Sequence, residues 1–174
     1  MLTKALASER QRVRVEAAIL EIHDILTRHE SQLAVLSDPQ YKLLNESILA
    51  LLHSTEVEKY RYLCRAVENC LREDELVPQE AAVLSRILRD MSATEAGFIV
   101  QNFGFQRVWL NTTVNEDGGQ SPTVHPSSPE AIVVSGLISL GLLLSSSSEY
   151  AGLGMFSWSP ITAKLLALLR DTAA

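Results

Sequence analysis

The chain of 174 residues has only two cysteines, two tryptophans and four phenylalanines, and it is short of cations: 15 Lys and Arg stand against 21 Asp and Glu, a formal net charge of −6. Each shortage excludes something. A net negative chain is repelled by phosphate backbones and by anionic membrane surfaces. Cys64 and Cys70 lie six residues apart on one expected helix, so they occupy different faces and are too far apart to bridge. Two reduced, packed thiols fit a cytoplasmic location. The start, Met1-Leu2-Thr3-Lys4, lacks the apolar core of a secretion signal and soon meets Glu9-Arg10-Gln11-Arg12. The apolar segment 131–144 is too short to span a bilayer and is split by Gly136 and Gly141.

Signatures of chemistry are also missing. The four histidines, His23, His29, His53 and His125, show no paired metal-ligand spacing. Neither cysteine lies in a CxxC, and there is no GxSxG, SxxK or phosphate-binding loop; Gly152-Leu153-Gly154 is a lone GxG in a turn. Glu73, Asp74 and Glu75 read as a solvated charge run at a helix end. Asn111-Thr112-Thr113 is a glycosylation sequon without meaning in a cytoplasmic protein. The expectation is a chain that is not an enzyme and that uses no cofactor and no metal.

Helical patterning is plentiful. Residues 3–36 read as one long helix in which Val15, Ile19, Ile22, Leu26, His29, Leu33 and Leu36 recur at steps of four and three, a heptad seam. His29 in that seam reads as a polar residue that sets register. Such a helix either runs along a bundle or pairs with a second copy, so the seven seam residues are the candidate interaction site. Asp38-Pro39 opens a second helix with Tyr41, Leu44, Ile48, Leu51 and Leu52. Thr55-Glu56-Val57-Glu58 has the pattern of a capping box and opens a third. Pro78 starts a fourth, and Ser92-Ala93-Thr94-Glu95, a second capping-box pattern, starts a fifth that Gly104 ends.

The chain then changes character. Residues 105–114 alternate and are rich in β-branched and aromatic residues, which predicts a strand. Residues 115–128 read as a loop. Ser128 as cap, Pro129 and Glu130 open a helix that is apolar on nearly every face and is therefore expected to be buried on most sides. After Gly141, Leu142-Leu143-Leu144 and Met155-Phe156-Ser157-Trp158 form a hairpin, and Ser159-Pro160 opens a last helix with Ile161, Leu165, Leu168 and Leu169. A helix ending in leucines and Gly, then a hairpin, an aromatic and a capped helix, resembles winged-helix proteins. The carriers are Leu137, Leu140, Gly141, Leu142, Leu143, Phe156, Ser159 and Leu165, while Ser159 and Ala163 stand where many such domains have Thr and Gly. Only one of the two helices expected between first strand and wing can be placed.

The fold class expected is mainly α with a small antiparallel β-sheet: a helical bundle over residues 1–91 and a degenerate winged-helix module over 92–174. From Ser92 onward the cations are Arg107, Lys164 and Arg170, against Glu95, Glu116, Asp117, Glu130, Glu149 and Asp171. A net of −3, and no Arg, Lys, Asn or Gln between 131 and 144, argue against reading DNA. Residues 56–100, with the Glu58-Lys59-Tyr60 start, the Ala66-Val67-Glu68-Asn69 run and the Met91-Ser92-Ala93-Thr94-Glu95 cap, resemble uncharacterised bacterial helical proteins of the Abi-alpha abortive-infection type. That resemblance implies a role in phage defence or stress and brings no catalytic residue with it. The expected function is protein–protein contact, as a homodimer or with another helical protein. A winged-helix transcriptional regulator and a membrane-active effector are the alternatives.

Overall fold

The computed structural model describes residues 2–72, 76–111, 121–146 and 154–171, with side chains of the first helix described at Glu9 and from Arg12 onward. Among them are helices α1 (Leu2–Arg28), α2 (Glu30–Leu33), α3 (Asp38–His53), α4 (Val57–Cys70), α5 (Pro78–Asp90), α6 (Ala93–Asn102), α7 (Glu130–Ser139) and α8 (Pro160–Leu169). The strands are β1 (Arg107–Leu110), β2 (Thr123–Val124), β3 (Leu143–Ser145) and β4 (Gly154–Trp158). The chain is mainly helical with one small sheet. Contacts divide it into two compact units, Met1–Asp90 with Ala167–Ala174, and Met91–Leu166.

In the first unit α3 is the centre and packs against α1, α4 and α5. Its start is fixed by Ser37, whose N–H and hydroxyl both donate to Gln40 Oε1 at 2.9 and 2.8 Å. The buried set on α3 is Gln40, Leu43, Leu44, Ser47, Ala50 and Leu51. Helices α3 and α5 pack on each other, and small residues are buried on both, Ser47 on α3 and Ala81 and Ser85 on α5. Both buried hydroxyls are satisfied within their own helices, Ser47 by Leu43 O and Ser85 by Ala81 O, each at 2.7 Å. Helix α4 contributes Leu63, Ala66, Val67 and Cys70 to the core. The buried Asn69 side chain turns to the C-terminal segment, where its amide donates to the carbonyls of Ala167 (3.2 Å), Leu168 (3.0 Å) and Arg170 (3.0 Å). Those are carbonyls that a helix end leaves without partners. Arg65 Nε pairs with Asp171 at 2.6 Å beside this clasp.

In the second unit α6 opens with the capping box expected of Ser92 and Glu95. The Ser92 N–H and hydroxyl donate to Glu95 Oε2 at 2.7 and 2.8 Å, and Glu95 N–H donates back to Ser92 Oγ. Helix α7 ends by a left-handed turn at Gly141 (φ 72°), with Leu142 N–H bonded to Leu137 O and Gly141 N–H to Ile138 O. This two-bond closure satisfies the last carbonyls of α7 and aims the chain into β3. The hairpin β3–β4 is antiparallel, with Leu143 opposite Trp158, and β1 pairs antiparallel with β4, with Val108 opposite Phe156. The order is β2-β1-β4-β3.

Three expectations need correction here. The sheet is mixed, not antiparallel, because Thr123–Val124, inside the expected loop, runs parallel to β1. The strand expected over 105–114 is paired only over Arg107–Leu110, and 112–120 lie outside the described residues. Helix α7 begins at Glu130 with Pro129 at the cap position, and Ser128 makes no cap bond.

Candidate functional site

The seven seam residues do not share one helix. The chain leaves helical dihedrals at His29 (φ −116°, ψ 26°), so the single helix expected over 3–36 is two, and Leu36 lies past the end of α2. Among the described residues, those buried on α1 are Ala18, Ile22, Ile25 and, at the break, His29. At 100° per residue this stripe and the seam share Ile22 and His29 but are centred about 50° apart. Ile22 and His29 therefore face the chain's own bundle. Val15, Leu26, Leu33 and Leu36 are half-buried, and Ile19 is 53% exposed. Val13 and Leu20 are exposed on the outer side of the same helix, and Val35 beyond it.

The break is held by one carboxylate. Glu68 on α4 receives Arg28 Nη1 at 3.3 Å, His29 Nε2 at 3.4 Å and Arg72 Nη2 at 3.2 Å, all on Oε1. A carboxylate oxygen accepts, so His29 Nε2 is the donor in its contact with Glu68. Its Nδ1 is buried with no hydrogen-bond partner among the described residues. His29 thus does more than interrupt a seam: its ring fixes the α1–α2 break against α4.

Next to this cluster, Tyr60, Cys64 and Glu68 follow each other along α4 at single-turn spacing and line an open depression of about 330 Å3 with Glu21, Arg61 and Arg65. Burial pushes the Cys64 thiol up to about 11, the Tyr60 hydroxyl pulls it back in part, and Glu21 adds to the rise. Burial, then Cys64, also raises the Tyr60 phenol. Burial alone pushes Cys70 up to about 12. Thiols held protonated near neutral pH are packing groups and weak nucleophiles. Both cysteines are free.

The start of α4 departs from the sequence pattern. Thr55 and Glu58 form no capping box. The helix begins at Val57 with Glu56 at the cap, and Glu56 makes no side-chain cap bond. The Thr55 carbonyl instead accepts Arg14 Nη1 of α1 at 3.0 Å. Between these elements lies a crevice of about 190 Å3, lined by Ala17, Leu51, Leu52, Val57 and Tyr60 as well as Arg14 and the Ser54–Glu56 turn.

In the second unit the helix expected to be buried on most sides is covered on one face only. Val134 and Leu137 are buried, but Ile132 is 77% exposed and Ile138 37%. The elements that pack on α7 are α6 and β3, and together they cover one side. The outward positions are Glu130, Ile132, Ser135, Ile138 and Ser139, with no cation among them. Trp158 packs edgewise on Phe98 and Phe103 at ring-centre distances of 6.4 and 5.7 Å, and its indole N–H donates to Phe105 O at 2.9 Å. The wing residues 147–153, with Glu149, and the run Glu73, Asp74, Glu75 lie outside the described residues.

Among the described residues, no group of three or more His, Cys, Asp or Glu is placed to hold a metal ion. No described helix is long and apolar enough to cross a membrane. No protein-family model, curated protein or solved structure matches the chain. Neither the crevice nor the Glu68 cluster is legible in the sequence. The spacing of Arg28, His29 and Glu68 across two helices carries no local signal, and only the i,i+4 pair of Glu68 and Arg72 was there to be read.

Proposed function

We propose that the chain acts by protein–protein contact, without catalysis, as a homodimer joined along the outer edge of the α1 seam. The observation that carries this reading is Ile19, a large apolar residue 53% exposed on the seam. Val15 stands half-buried one turn before it and Leu26 two turns after it in heptad register, and Val13 and Leu20 are exposed farther round the same helix. A helix of 27 residues, about 40 Å long, offers one straight edge to a second copy. The phase difference between seam and buried stripe supports the same reading, since α1 can pack on its own bundle through Ile22 and Ile25 while keeping the Ile19 edge outside.

The exposed face of α7 also favours protein contact over nucleic acid, because Ile132 and Ile138 offer neither charge nor a base-reading group. A role in phage defence or stress rests on the Abi-alpha resemblance. Its motifs do structural work here: Ala66, Val67 and Asn69 are buried, Lys59 Nζ donates to Arg89 O at 2.7 Å, and Ser92 with Glu95 caps α6.

Light scattering after size exclusion tests the proposal. The expected result is a mass of twice 19.2 kDa at tens of micromolar chain. A strict monomer there would count against self-association, and a salt-dependent shift of random duplex DNA would favour a regulator instead.

A further inference from the structure

The crevice where α1 crosses the end of α3 and the start of α4 combines three properties. Its volume is about 190 Å3, and its walls are mostly the apolar groups of Ala17, Leu51, Leu52 and Val57. Val57 is 63% exposed there, an apolar surface that the fold does not cover. The crevice also holds one cation: Arg14 Nη1 donates to Thr55 O at 3.0 Å, an exposed bond between residues 41 apart in sequence. Among the described residues Arg14 makes that one hydrogen bond, so the rest of its guanidinium fork can still donate.

We propose that this crevice binds a small monocarboxylate whose apolar body is about one six-membered ring. A dry cavity of about 150 Å3 accommodates a benzene ring, so 190 Å3 accommodates a ring and one attached polar group. The hydrogen bond to Thr55 O orients the guanidinium toward the crevice wall, and its planar fork suits a carboxylate. Arg14 is the one cation among the residues that line the crevice, so it matches a single negative charge and leaves a dianion such as a phosphate monoester half uncompensated. A neutral ring would gain the apolar walls but not Arg14. The site belongs to the helical unit alone and does not depend on the dimer.

Amide chemical shifts of the full chain, titrated with benzoate, benzyl alcohol and phenyl phosphate, test this. Benzoate is expected to move the amides of Ala17, Leu52 and Val57 saturably, and the other two probes to bind at least about fivefold more weakly. Arg14→Gln is expected to reduce benzoate to the level of benzyl alcohol. Ala17→Leu, which fills the crevice with a good helix former, is expected to abolish binding of all three. The proposal is overturned if benzoate gives no saturable shift up to about 20 mM, if benzyl alcohol binds the unaltered chain as well as benzoate does, or if Ala17→Leu leaves binding unchanged. Should Arg14→Gln fail to fold by circular dichroism, the probe comparison on the unaltered chain and the Ala17→Leu variant decide alone.

Discussion

Asn69 shows what a single side chain does in this fold. It is buried on α4, and its amide serves three carbonyls of the C-terminal segment. Asn69→Leu keeps the forked shape of the side chain and removes the donors, and the expected cost is about 1–3 kcal/mol in urea unfolding. Gly136 shows a different dependence. A Cβ there would collide with Glu95 Oε1, while Oε2 of the same carboxylate is engaged by Ser92. Alanine gains about 1 kcal/mol over glycine inside a helix, but in this chain it must displace the cap of α6. Gly136→Ala is therefore expected to be more favourable by about 1 kcal/mol in a Glu95→Ala background than in the unaltered chain, which a double-mutant cycle measures. Cys70 gives a pH dependence. Its thiol is raised from 9.0 to about 12 by burial, so the unfolded chain releases this proton first. The stability it contributes is complete below pH 9 and is lost as pH rises toward 12. The urea midpoint is expected to fall less between pH 8 and 10.5 in Cys70→Val than in the unaltered chain, in roughly the proportion linkage requires; equal slopes would contradict this.

At the scale of elements, the sequence was most legible where a local rule acts alone. Ser92 and Glu95 form the expected reciprocal cap, Pro78 and Pro160 stand at the first positions of α5 and α8, and Gly141 takes the left-handed turn that ends α7. Legibility failed where a tertiary partner decided. Thr55 has the spacing for a cap, yet its carbonyl is taken by Arg14 and α4 starts a residue later. Ser37 and Gln40 form the box that the sequence reading passed over. The seam was read from large apolar residues, while the buried stripe of α1 turns on Ala18, too small to weigh in such a pattern. The two residues of β2 have no strand signal of their own and are ordered by pairing with Trp109 and Leu110. Apolar composition misled about α7 because it does not say how many neighbours will arrive. Ile132→Lys is expected to change stability by no more than about 0.5 kcal/mol, and Leu137→Ala to cost about 2–5 kcal/mol, by denaturant unfolding.

At the scale of the whole molecule, the fold class was legible and the candidate site only in part. Periodicity announces a helix-rich chain with a terminal hairpin. It does not announce that His29 breaks the first helix, because the cause is a carboxylate 39 residues away. Of the seven seam residues, Ile22 and His29 serve the interior, and the outer edge around Ile19 is what remains for a partner. The account therefore makes one demand of the assembled protein. Sedimentation velocity of the unaltered chain and of Ile19→Glu, diluted from tens of micromolar, tests it most directly. The account predicts a dimer for the first and a folded 19.2 kDa monomer for the second. A monomer for both, or a dimer that Ile19→Glu leaves intact, would contradict it.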